Sequence, residues 1–223
     1  MLAGAYIVLF VVATCLPLIY LHFFMHGVLS VIQISLSIFS GVNVLICLWE
    51  WTLFFYRDRI RAQYKALLSK LPKKTLPSPL FLFEDISLKE ALSLEHWSIV
   101  WSTYSLLDNS YSDQTTWGFF VDVGNGFTTI LPTIVFAVCM SLPLLSPRTC
   151  GVVGLLMFYQ EMYGTIIYFL SYMLNRRYCS HPPWHLYLVV FANSLWILLP
   201  LLGLYCSLSL IYTDTYTVFG CLH

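Results

Sequence analysis

The sequence predicts an all-α membrane protein, a bundle of five transmembrane helices forming a single domain over residues 1–223. Three observations carry that prediction. Of the 223 residues, 59% are hydrophobic and 10% charged, and the mean hydropathy is +0.77, outside the range of soluble globular domains. Five apolar stretches are long enough to cross about 30 Å of hydrocarbon at about 1.5 Å per residue. The eleven Lys and Arg residues fall between those stretches: eight lie from Arg57 to Lys89, two are Arg176 and Arg177, and one is Arg148.

The first run, about Leu2–Phe24, has no basic leading region and no small-residue cleavage site, so it reads as a retained helix that Pro17 is expected to kink. His22 and His26 end it at a spacing of i, i+4, which can hold a metal on a helix. No third ligand is in view, so they read as interfacial polarity and no metal is expected. The second run, about Val28–Tyr56, contains "ICLWEWTLFF", which sets Glu50 in a stretch otherwise built for lipid. A charge near the middle of a bilayer costs about 2.5–3.5 kcal/mol even on lenient scales, so Glu50 should have a partner or a task.

The one extended polar segment, 57–116, is expected to be a cytosolic loop with interfacial helices. "RIRAQYKALLSK" alternates apolar and basic residues at helical spacing, as suits an anionic leaflet. "LPKKTLPSPL" breaks that helix, and "SLKEALSLEHWSIVWSTYSLL" restarts it with Ser87 and Glu90 spaced as a capping box. The remaining spans are about Trp117–Leu145, Cys150–Leu174 and Trp184–Tyr212. The positive-inside rule places the loops after the second and fourth helices in the cytosol, with a cytosolic N-terminus and a lumenal or external C-terminus.

The seven Cys are scattered without a C-x-x-C pair and read as small apolar residues, with no disulfide framework. No Gly-rich phosphate loop, nucleophile elbow or Ser/His/Asp set is present, which speaks against hydrolase and nucleotide chemistry. No cofactor and no nucleic-acid partner are expected.

The spans hold three carboxylates, Glu50, Asp122 and Glu161, and no Lys or Arg. From the topology and helical rise, Glu50 lies about 10 Å in from Arg57, Asp122 about 8 Å in from Trp117, and Asn193 about 14 Å in from Trp184, with Glu161 nearer the midplane. Overlapping depths on separate helices point to a shared central cavity. Helical spacing adds neighbours: Asn43 with Glu50, Asn125 with Asp122, Gly164, Thr165 and Tyr168 with Glu161, Trp196 and Pro200 with Asn193. With 17% aromatic residues, the cavity would be walled by π-faces that attract cations. Simple interhelical hydrogen bonding is the plainer reading for Asn43 and Asn125.

Against this background, "WSTYSLLDNSY", read as Trp101-x2-Tyr104-x3-Asp108-x2-Tyr111, resembles the W-K-E-Y-x3-D-x2-Y segment before the third helix of emopamil-binding proteins, the sterol Δ8-Δ7 isomerases of the EXPERA superfamily. Asp122 falls where that family carries its helix-three Glu. "EMYGTIIYF" is similar to its Q/E-x-Y-G-x3-Y/F segment, and "FANSLWILLP" to its F-x-N-x-x-W-x-x-x-P signature. The resemblance covers roughly Trp101 to Leu202. It is weaker over the second helix, where the family shows H-x3-E: Glu50 fits, and Ile46 stands in place of the His.

The resemblance implies a multi-pass protein of the endoplasmic reticulum membrane that shifts a ring double bond of a sterol or triterpenoid by protonation and deprotonation through a tertiary carbocation. Cationic amphiphilic amines would mimic that cation and inhibit. By position, Asp122 would be the leading acid/base, Glu50 its electrostatic partner, Asn193 an orienter and Trp196 a cation-stabilising wall, with Glu161 replacing or relaying the missing base. Tyr104, Tyr111, Tyr163 and Asn125 would complete the substrate contacts, and homodimerisation is left open. Ile46 keeps a second reading open, a non-catalytic binder of sterols or cationic amphiphiles. A membrane terpene cyclase is the third, hinted at by "LWEW" and disfavoured by the C-terminal half.

Overall fold

Lipid offers no water to satisfy backbone N–H and C=O groups, so apolar runs of this length close their hydrogen bonds within helices. The computed structural model describes residues 1–70, 80–180 and 183–221; the proline-rich break at 71–79, His181 and His223 lie outside the described residues. Regular structure among the described residues is helical, apart from one isolated antiparallel bridge between Leu2 and Asp85. The helices are α1 (Ala3–His26), α2 (Val31–Phe55), α3 (Arg57–Lys70), α4 (Leu88–Ala91), α5 (Leu94–Tyr104), α6 (Ser110–Asp113), α7 (Trp117–Thr128), α8 (Ile130–Cys139), α9 (Pro147–Leu174) and α10 (Pro183–Thr213). Short 3-10 turns occupy Leu80–Phe83, Arg177–Ser180 and Thr217–Phe219.

Four of these helices, in α1, α2, α9 and α10, are long and apolar enough to cross a membrane, and the bent pair α7 and α8 supplies a fifth if it forms one span. The chain is an all-α, multi-pass membrane bundle. The predicted span Trp117–Leu145 is corrected: it is two helices, with a break at Thr129 and an end at Cys139. Pro132 sits in the first turn of α8 and has no N–H to continue the α7 ladder. Thr133 instead anchors α8 on Thr129, donating both its backbone N–H (2.9 Å) and its hydroxyl (2.7 Å) to that carbonyl. Helix α1 runs through Pro17 without interruption.

The contacts divide the chain into two units. The first comprises Met1–Val8, Ile46–Phe127 and Ile166–Asn193, the second Leu9–Leu45, Thr128–Thr165 and Ser194–His223. In the first, α3 is more than an interfacial helix: it buries Ile60 completely and packs on α5, where Ser98 and Ser102 both donate to Gln63 Oε1 at 3.1 and 2.7 Å. The predicted capping box is present, with Glu90 N–H donating to Ser87 Oγ at 3.2 Å and Ser87 N–H to Glu90 Oε2 at 2.8 Å. The helix it starts is shorter than expected, because Ser93 interrupts it after Leu92 and caps α5 anew. The second unit holds an apolar core cluster, which includes Leu36, Phe39, Phe136, Met157, Phe158 and Leu210. There α9 and α10 approach closely enough that a Cβ on Gly203 would enter the Phe158 ring, the small-residue contact typical of membrane helix pairs.

Candidate functional site

Glu50 and Asp122 both belong to the first unit. Glu50, 4% exposed, lies near the end of α2 where that helix meets α7 so tightly that a Cβ on Gly126 would sit 2.8 Å from its Cβ. Trp51 Nε1 donates to Gly126 O across the same contact at 2.7 Å. Asp122 is one turn earlier on α7, half-buried, with the Tyr111 hydroxyl hydrogen-bonded to its carboxyl group. Burial pushes the Tyr111 phenol well above its ordinary range, with the Asp122 charge acting in the same direction, so Tyr111 stays a donor.

The ring of Tyr111 is held between Trp101 (centroids 4.7 Å apart) and Tyr104 (5.3 Å). From Tyr104 a directed chain of hydrogen bonds follows. Asn193 Nδ2 donates to the Tyr104 oxygen at 2.9 Å, and Tyr168 donates its only hydroxyl proton to Asp108 Oδ2 at 2.9 Å. The 3.4 Å contact between Tyr104 and Tyr168 must therefore carry the Tyr104 proton toward Tyr168. Asp108 closes the chain: it accepts from Ser110 N–H at 3.0 Å and pairs with Arg177 Nη1 at 3.3 Å.

The second unit has its own polar network, built on Asn43. Its Nδ2 donates to Glu161 Oε1 at 2.6 Å and to Thr133 Oγ1 at 2.9 Å, while its Oδ1 accepts from Trp196 Nε1 at 3.2 Å. Three amide valences are used, and their chemistry assigns which amide atom is oxygen. Glu161 is 1% exposed, and its Oε2 has no hydrogen-bond partner among the described residues. Among the described residues no Lys or Arg pairs with Asp122 or Glu161; the four ion pairs lie elsewhere.

Of the residues singled out in the sequence, the first unit holds Glu50, Asp122, Asn125, Tyr104, Tyr111 and Asn193, and the second holds Glu161, Tyr163 and Trp196. Asn125 is half-buried three residues beyond Asp122. Tyr163 lies on a different face of α9 from Glu161. It is 45% exposed and stacks on Tyr159 at 5.8 Å. Sequence reasoning missed Asn43 as the ligand of Glu161, Thr133 as a second partner of Asn43, and Arg177 and Tyr168 as ligands of Asp108. Asp108 was visible as part of the Trp101–Tyr111 segment, and Arg177 as one of two arginines at the end of a span.

No protein-family model, no curated protein and no solved structure matches this chain.

Proposed function

We propose that this chain is an endoplasmic reticulum membrane isomerase that moves a ring double bond of a sterol or triterpenoid, in the manner of the emopamil-binding proteins its motifs resemble. Asp122 carries the reading: a half-buried carboxyl group on a membrane helix, hydrogen-bonded by Tyr111 and without a Lys or Arg counter-charge among the described residues. The acid gives its proton to one alkene carbon, and the π pair forms the new C–H bond. The adjacent tertiary carbon becomes cationic. A neighbouring C–H pair then forms the shifted double bond, and its proton passes to a carboxylate, so the reaction is balanced without a cofactor.

Glu50 serves as electrostatic partner to Asp122, and Asn193, in the same unit, orients the substrate. The N-terminus is cytosolic in this reading, and the substrate enters from the bilayer.

The test is incubation of membranes containing the protein with a Δ8-sterol in D2O, followed by mass spectrometry. A Δ7 product carrying a single deuterium is expected, with turnover reduced at least about 100-fold in Asp122→Asn, the scale of one lost general acid. Full turnover in Asp122→Asn refutes the assignment. A second reading is favoured by Ile46, half-buried one turn before Glu50 where the resemblance calls for His: a non-catalytic binder of sterols or cationic amphiphiles. Saturable sterol binding with no deuterium incorporation selects it.

A further inference from the structure

We propose that His22, His26 and Cys221 form a binding site for a transition-metal ion of the zinc type. All three residues, and the groups that orient them, belong to the second unit. His22 and His26 share one face at the end of α1, with ring centroids 4.9 Å apart. One nitrogen of each is already committed. His22 Nδ1 lies 3.0 Å from the Met140 carbonyl and His26 Nε2 lies 3.1 Å from the Ser141 carbonyl, so each of these nitrogens carries the proton and donates. The other nitrogen of each ring is thereby left with its lone pair, as in metal sites where a backbone carbonyl fixes the tautomer of a ligating imidazole. For His22 this is Nε2, which is wholly buried and makes no hydrogen bond of good geometry among the described residues, although the Phe219 backbone carbonyl also lies beside the ring. A buried, unpartnered ring nitrogen in a side chain already oriented by its other nitrogen requires an explanation, and a metal ion supplies one.

The third ligand comes from the far end of the chain. After the 3-10 turn Thr217–Phe219, Gly220 adopts φ +83°, a conformation unfavourable to other residues, with its N–H donated to Thr217 O at 2.9 Å. The turn delivers the free, buried thiol of Cys221 to the two imidazoles. One ligand-capable atom of each of the three residues lies within 4.8 Å of those of the other two. Metal–ligand bonds of about 2.0–2.3 Å around a tetrahedral centre need them roughly 3.3–3.8 Å apart, a closure that side-chain rotation can provide. A cavity of about 210 Å³, lined by His26, Cys221, Tyr216, Asp214 and Pro143, gives an ion a way in and a water molecule the fourth position. An ion there would fasten the end of α1 to the turn after α10.

The site shares no residue with the proposed isomerase, and each can fail without the other. The probe is Co2+, titrated into the tag-free full chain in detergent after chelator treatment, followed by displacement with Zn2+. A single equivalent of Co2+ with a thiolate-to-cobalt charge-transfer band is expected, together with a higher thermal midpoint in Zn2+. Cys221→Ser should abolish the band, and His26→Gln should weaken Zn2+ binding by about 100-fold or more, at least the cost of losing an outer-sphere partner. Absence of the band and of any midpoint shift in the unaltered chain overturns the proposal, as does undiminished Zn2+ binding in both variants, which would place the ion on other histidines. If a variant does not fold, alkylation of Cys221 in the unaltered chain decides: protection by Zn2+ supports the site, and equal labelling with and without Zn2+ rejects it.

Discussion

Asp108 in the first unit and Glu161 in the second are each 1% exposed, yet the chain compensates them differently. Asp108 receives a guanidinium, a tyrosine hydroxyl and a backbone N–H. Glu161 receives the amide of Asn43, with no Lys or Arg among the described residues. A carboxylate held only to fix a fold is well served by a full counter-charge, because an unpaired buried charge is costly. A carboxyl group given only neutral donors retains the capacity to respond to an incoming or transient cation. That is the electrostatic condition the proposed carbocation chemistry needs, and Asp122, bonded by the neutral Tyr111, meets it as well.

The strongest way to break this comparison is to remove the counter-charge from Asp108. Arg177 is only 12% exposed in its side chain, so Arg177→Gln should strand a buried carboxylate and cost about 3–5 kcal/mol. Thermal or denaturant unfolding in detergent measures it. Asp108→Asn combined with Arg177→Gln should recover part of the loss, since the neutral Asn Oδ1 still accepts from Ser110 N–H and its Nδ2 can donate to the Tyr168 hydroxyl. If the single variant unfolds like the unaltered chain, Arg177 is not the compensating charge.

The amide-based network should respond less. Asn43→Leu leaves Glu161 Oε1, Thr133 Oγ1 and Trp196 Nε1 without their shared partner. Interhelical hydrogen bonds in membrane proteins are worth about 0.6 kcal/mol on average, so a loss of about 1–3 kcal/mol is expected for the three together. A stability change as large as that of Arg177→Gln would erase the distinction between the two sites. No change at all would mean that Glu161 is indifferent to its one amide.

The fold class was legible because span length and hydropathy do not depend on partners. The break at Thr129 was not, since 117–145 stays apolar across it, although Pro132 was a visible sign. Depth along the helices groups Glu50, Asp122 and Asn193, and all three fall in the first unit. Helical spacing was a poorer guide. Asn43 and Glu50 lie on one face of α2, but the ligand of Asn43 is Glu161, 118 residues away, and a shared face does not name a partner. The outward face of Tyr163 was itself legible: two residues from Glu161 is about 200° around a helix, which puts it outside when Glu161 is inside. Cys221 was out of reach for a different reason. Nothing local to His22 and His26 shows that a turn after α10 returns to them.

Glu90 gives the comparison a third case and the smallest effect. It is a carboxylate on an exposed surface, compensated by the backbone N–H and the hydroxyl of Ser87, at 2.8 and 2.7 Å. These bonds, the backbone one first, hold its pKa below the ordinary carboxylate value, with desolvation opposing and His96 assisting. The folded pKa is depressed, so the contribution to stability is present above the unfolded value and is lost as pH falls through the folded one. The effect should be confined to α4: amide protection at Glu90 and Ala91, corrected for intrinsic exchange, should fall on acidification and should be low and nearly pH-independent in Glu90→Gln. Global unfolding should not follow, because water replaces the lost bonds at an exposed helix end and cannot do so around Asp108. A global transition tracking the Glu90 titration would show instead that the short capped helix holds the first unit together, and the contrast between an exposed carboxylate and the two buried ones would fail.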